Sequence, residues 1–107
     1  MDATPDALAW GRLDGSETLF WLEAESGHSS RQKIQKEMSR RLFLAIAYAE
    51  SLKVRLVFVL LAMPWVQEAA RTALAGIPGH VAVVTSDWNK FGQLPVVEWG
   101  KVRLGIE

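Results

Sequence analysis

Cysteine is absent from this chain of 107 residues. That excludes a disulfide scaffold, thiolate metal sites and a cysteine nucleophile, and it suits a reducing cytoplasm. Long apolar runs are also missing: the longest, Leu56 to Val66, falls short of the roughly 20 residues needed to span a bilayer, so no membrane partner is expected. The opening residues carry Asp2 and Asp6 and no basic stretch, so they do not read as a signal peptide. Repeats and low-complexity tracts are lacking, and neither charge sign is in excess, with 12 basic and 12 acidic residues. What remains is a chain that is 50% hydrophobic and 22% charged. Such a composition offsets the entropy of ordering and predicts one folded, soluble, cytoplasmic domain over residues 1–107.

Charge is balanced overall but segregated along the chain. Up to Glu25 the acids are Asp2, Asp6, Asp14, Glu17, Glu23 and Glu25, against Arg12 alone. From His28 to Arg41 the bases are Arg31, Lys33, Lys36, Arg40 and Arg41, against Glu37 alone. The plain reading is two blocks that neutralise each other on a solvated surface. The sharper one is an acidic metal-binding cluster beside a basic phosphate-binding face.

Ala7 to Leu13 and Thr18 to Glu25 read as the arms of an antiparallel hairpin, joined by a connection over Asp14 to Glu17. Gly11 weakens the first arm. Ser29 or Ser30 can cap a helix reaching about Leu52, with Ile34, Met38, Leu42, Ala45, Ala49 and Leu52 forming one apolar stripe. Cations in its first turns oppose the helix dipole, so helix stability does not explain Arg31 and Lys33. Val54 to Leu61 has the composition of a central strand covered on both faces. Pro64 suits the first turn of a helix ending near Gly76, and Val81 to Thr85 is a short buried strand. After Trp88 and Phe91, Val96 to Trp99 and Lys101 to Leu104 suggest a C-terminal hairpin. The order β-β-α-β-α-β predicts an α/β domain, a mixed central sheet flanked by helices on its faces.

In the opening hairpin the start of one arm lies beside the end of the other, which makes Asp6 and Glu23 neighbours. Period-two alternation puts Glu25 on the face of Glu23. Three carboxylates at one end of a sheet face would repel one another without a cation. Pro5-Asp6, then sixteen residues, then Glu23-Ala24-Glu25 resembles the signature of the PD-(D/E)XK nucleases. Within that superfamily, Pro5-Asp6-Ala7, Trp21 to Glu25 and the basic stretch Arg31 to Arg41 are similar to the nuclease-like domains of replication-relaxation-type proteins of plasmids and mobile elements. The resemblance implies a restriction-endonuclease-like fold acting on DNA, and Asp6 and Glu23 as ligands of Mg²⁺ or Mn²⁺, with the Ala24 carbonyl and Glu25 beside them. Glu25 occupies the place of the motif lysine, as in some active restriction enzymes of the fold. Lys33 or Lys36 would stand in as a migrated lysine, and Arg31, Arg40 and Arg41 would hold the DNA backbone. The helix and strand that usually precede Pro-Asp in that fold have no counterpart before Pro5, which leaves three alternatives: the chain is a fragment, a partner supplies the missing part, or the domain is degenerate and lacks them.

Other candidates have simpler explanations. His28 reads as a loop histidine rather than a general base. Ser29 and Ser30 read as caps, with no G-x-S-x-G context for a nucleophile. The five tryptophans read mainly as core or interface; Trp65 and Trp88 are placed to stack on bases, but packing accounts for them better. The expected activity is metal-dependent phosphodiester hydrolysis. Its rival is a catalytically degenerate module of the same fold that binds DNA or forms a homodimer.

Overall fold

The computed structural model describes residues 4–90 and 94–107, leaving Asp2 and Phe91 outside the described residues. The chain opens with β1 (Ala7–Leu13) and β2 (Ser16–Glu25), paired antiparallel with Ala7 opposite Leu22 and Leu13 opposite Ser16. The turn between them is tighter than the expected four-residue connection. Asp14 and Gly15 alone form it, at φ +53° and +77°. Positive φ at both central residues is the turn whose twist matches that of the flanking strands, and Asp-Gly supplies it at little cost. Gly11 is accommodated because the Phe20 ring on β2 lies over it, 3.5 Å from where a Cβ would sit.

Helix α1 (Arg31–Ser51) follows. Ser30 caps it, its hydroxyl accepting from the Lys33 N–H at 3.2 Å. The stripe Ile34, Met38, Leu42, Ala45 and Ala49 is buried. Strand β3 (Arg55–Ala62) lies parallel to β2 in the middle of the sheet and is buried along nearly all its length. Helix α2 (Pro64–Ala70) carries proline in its first turn and ends earlier than Gly76, with a further turn reaching Leu74. Strand β4 (Val81–Ser86) then pairs parallel to β3, and a short 3₁₀ turn spans Trp88–Lys90.

The five-stranded mixed sheet runs in chain order, β1-β2-β3-β4-β5. Crossovers between parallel strands are right-handed, and β2, β3 and β4 advance across the sheet in one direction. Both helices must then cover the same face, where the sequence reading placed helices on the faces of the sheet. The core bears this out: α1 and α2 bury Leu19, Trp21, Leu56, Phe58, Leu60, Val81 and Val83 on that single face.

The other face carries Val57, Val59, Leu61, Ala82 and Val84, and Val97 and Trp99 pack against it. This replaces the expected C-terminal hairpin. Val96 to Trp99 forms no strand, and β5 (Val102–Arg103) pairs parallel to β4. An uncovered apolar sheet face outweighs a short hairpin, because each fully buried large apolar side chain contributes about 1.5–3 kcal/mol. Trp99 also donates its Nε1–H to Asp14 Oδ2 at 3.0 Å and lies under the Arg55 guanidinium, 4.8 Å from the ring centre. A buried polar set closes the opposite end: Thr85 hydrogen-bonds Gln67, Gln67 Nε2 donates to the Ala62 carbonyl at 2.9 Å, and the Gly105 N–H donates to Thr85 Oγ1 at 2.9 Å. Among the described residues, no helix is long and apolar enough to cross a membrane.

Candidate functional site

The hairpin brings two of its acidic side chains together. Ala7 opposite Leu22 places Asp6 beside Glu23, and the Asp6 N–H donates to the Leu22 carbonyl at 3.0 Å. Glu23 belongs to the helix-covered face with Leu19 and Trp21, and it is 2% exposed. A carboxylate so deeply placed needs protein partners. Trp21 donates its Nε1–H to Oε2 at 2.8 Å, and Arg41 Nη1 donates to Oε1 at 2.9 Å and to Oε2 at 3.0 Å. Asp6 uses Oδ2 to accept the Ala24 N–H at 2.7 Å. The hairpin end is therefore fastened by a carboxylate from each arm.

Burial pushes the Glu23 carboxyl above its ordinary value; the hydrogen bonds from Trp21 and Arg41 and the Arg41 charge pull it down less, and Asp6 adds a small upward push. For Arg41, partial burial works against the charge, but Glu23 and Glu37 together outweigh it and raise its pKa. Glu37 is held below the usual carboxylate range, chiefly by the hydrogen bond from Arg40.

Glu25 does not complete the expected cradle. Its Oε1 accepts the Gly27 N–H at 3.2 Å, and among the described residues no three acidic, histidine or cysteine side chains gather as a metal-binding group. The donor set of the Asp6–Glu23 pair does not fit a divalent cation as it stands. Both oxygens of Glu23 face a guanidinium, and a cation there would meet a like charge unless Arg41 left.

Lys33 and Lys36 stand exposed on the side of α1 away from the buried stripe, not at the carboxylates. Spacings of three and four align them with Arg40 and the exposed Phe43. Arg31 is exposed at the first helical position. Among the described residues, Arg31, Lys33 and Lys36 enter no ion pair, whereas Arg40 Nη2 bonds Glu37 at 2.9 Å. Arg41, grouped in sequence with the backbone-binding cations, turns inward instead, 26% exposed and bridging Glu37 and Glu23. The signal for that role lay in its spacing: position 41 is three beyond Met38 and four before Ala45, at the margin of the buried stripe.

The tryptophans divide differently from expectation. Trp21 is fully buried, but Trp10, Trp65 and Trp88 are 56%, 41% and 47% exposed. Trp65 packs on the Gly27 turn, where a Cβ would sit 3.3 Å from its ring. His28 is an exposed loop residue and Ser30, not Ser29, is the cap. At the far end of the sheet an open depression of about 670 Å³ is lined by residues including Glu50, Lys53, Arg55 and His80, remote from the carboxylate pair. The described parallel strands advance without reversing, so they form no switch-point crevice of the kind that holds ligands in doubly wound sheets. Compared with known proteins, the chain matches no family model, no curated sequence and no solved structure.

Proposed function

We propose that this chain is a DNA-backbone-binding module with a restriction-endonuclease-like fold, in which the carboxylate pair of the nuclease signature has become a structural fastening. The observation that carries the reading is the stripe of Lys33, Lys36 and Arg40 on the solvent face of α1, with Arg31 at the helix start. Arg31 and Lys33, in the first turn, oppose the helix dipole, so their placement is unfavourable for the helix itself. Phosphate contacts position a protein on a duplex without reading bases, so recognition is sequence-independent. The test is fluorescence anisotropy with labelled random-sequence duplex over a salt series. Affinity should fall as salt rises and weaken further in Lys33→Ala/Lys36→Ala. Salt-independent binding, or binding unchanged by the double substitution, overturns the reading.

The side-by-side placement of Asp6 and Glu23 favours a second reading, the metal-dependent nuclease. It requires Arg41 to leave Glu23 when the cation arrives. Nicking of supercoiled plasmid in Mn²⁺, lost in Asp6→Ala, would establish it over the binding module.

A further inference from the structure

The two edges of the sheet are unlike. β5 is two residues long and carries Arg103, the short and charged kind of edge that resists pairing. β1 is seven residues long, carries its one charge, Arg12, next to the turn, contains neither lysine nor proline, and among the described residues pairs only on its β2 side. A two-residue turn closes on a hydrogen-bonded pair, here Leu13 with Ser16, and such pairs alternate along an antiparallel ladder. Ala7, Ala9, Gly11 and Leu13 therefore turn their backbone groups toward β2. Leu8, Trp10 and Arg12 turn theirs outward.

The side chains of those outward residues are exposed as well. Leu8 and Trp10 are 40% and 56% exposed, on the helix-covered side of the sheet. The strand is also self-complementary about Ala9. Read in reverse against itself, it sets Leu8 opposite Trp10 and Asp6 opposite Arg12, with Ala7, Ala9 and Gly11 between them on the other face and Leu13 opposite Pro5. Each Leu8–Trp10 pair would exchange both its backbone bonds, and a two-fold axis generates every contact twice. Arg12 has room for the added partner, its side chain being 68% exposed where it meets Glu17. A register centred on Trp10 would instead set Asp6 against Asp14, two like charges. The charge pattern thus favours the Ala9-centred register over that one.

We propose that β1 pairs antiparallel with β1 of a second copy, centred on Ala9, to give a homodimer with one continuous sheet. The two-fold axis is normal to the sheet, so the helices of both copies cover the same side. Assembly of this kind needs no DNA.

Sedimentation of the DNA-free protein over a concentration series tests it. The wild type should show a monomer–dimer equilibrium, weakened about tenfold or more by Leu8→Lys or Trp10→Lys. Arg12→Asp alone should be monomeric. The double swap Asp6→Arg/Arg12→Asp should dimerise again, because each opposite-charge pair is restored in reverse. Circular dichroism on every variant separates lost pairing from lost folding, and only variants with the wild-type spectrum are scored. A wild type that stays monomeric at all concentrations overturns the proposal and leaves the edge to a strand of another protein. A dimer indifferent to Leu8→Lys overturns the edge contact, and one indifferent to Arg12→Asp alone overturns the register.

Discussion

Glu23 is the residue on which the two electrostatic blocks of the chain meet. Its strand comes from the acidic block, its guanidinium partner from the basic one, and the contact lies inside the protein. Taking away one member of a buried pair costs more than the pair contributes, because the other charge is left unpaired. Arg41→Met should therefore destabilise by about 3 kcal/mol in urea unfolding at neutral pH. The pH dependence has a definite sign. Burial holds the folded carboxyl above its ordinary value of 4.5, so the folded state binds that proton more tightly than the unfolded chain. The stabilisation is complete below the ordinary value and is lost as pH climbs through the raised one. Relative to Glu23→Gln, the wild type should lose stability with rising pH across this window. A relative gain would show that Arg41 and Trp21, not burial, govern the site.

The elements were legible where a local rule and the packing agreed. Period-three-and-four spacing located α1, its cap was one of two serines, and the β-branched run was the central strand. The errors fall where a distant partner decides. Val96 to Trp99 alternates like a strand, but the apolar face of β3 and β4 recruits Val97 and Trp99 as a cover. Likewise, Asp6 and Glu23 were correctly brought side by side, without Glu25, yet the sequence could not reveal that Arg41 would be the cation to reach Glu23. The end of α1 shows a local rule broken. The Val54 N–H bonds the Ala49 carbonyl and the Lys53 N–H bonds that of Glu50, both at 3.1 Å, which places Lys53 where glycine usually ends a helix. Its φ is +58°. Lys53→Gly relieves that strain and should stabilise by about 0.5–1 kcal/mol, while Lys53→Val should destabilise, both read as shifts in Tm.

Among the described residues the two faces of the sheet are covered unequally, by the helices on one and by the extended segment that holds Val97 and Trp99 on the other. The thinner layer depends on few contacts, and Trp99 makes three kinds at once: packing on the face, a hydrogen bond to the hairpin turn and the Arg55 stack. Trp99→Ala should cost about 2–3 kcal/mol, somewhat less than deleting a fully buried tryptophan, and should bring on dye binding to exposed apolar surface. The basic ridge lies on the thicker layer and belongs to a molecule of zero net charge. On the proposed DNA-binding reading the attraction is local, because a neutral molecule lacks the overall field that steers a basic one from a distance. Each phosphate neutralised contributes about −0.9 to the slope of log affinity against log salt. Contacts by Lys33, Lys36 and Arg40 from one copy would give a slope of about −2.7, with Lys33→Ala/Lys36→Ala reducing its magnitude by about 2. A slope near zero would mean that these cations only solvate the helix. A slope about twice as steep, falling to the single-copy value in Leu8→Lys, would mean that the ridges of two paired copies engage one duplex.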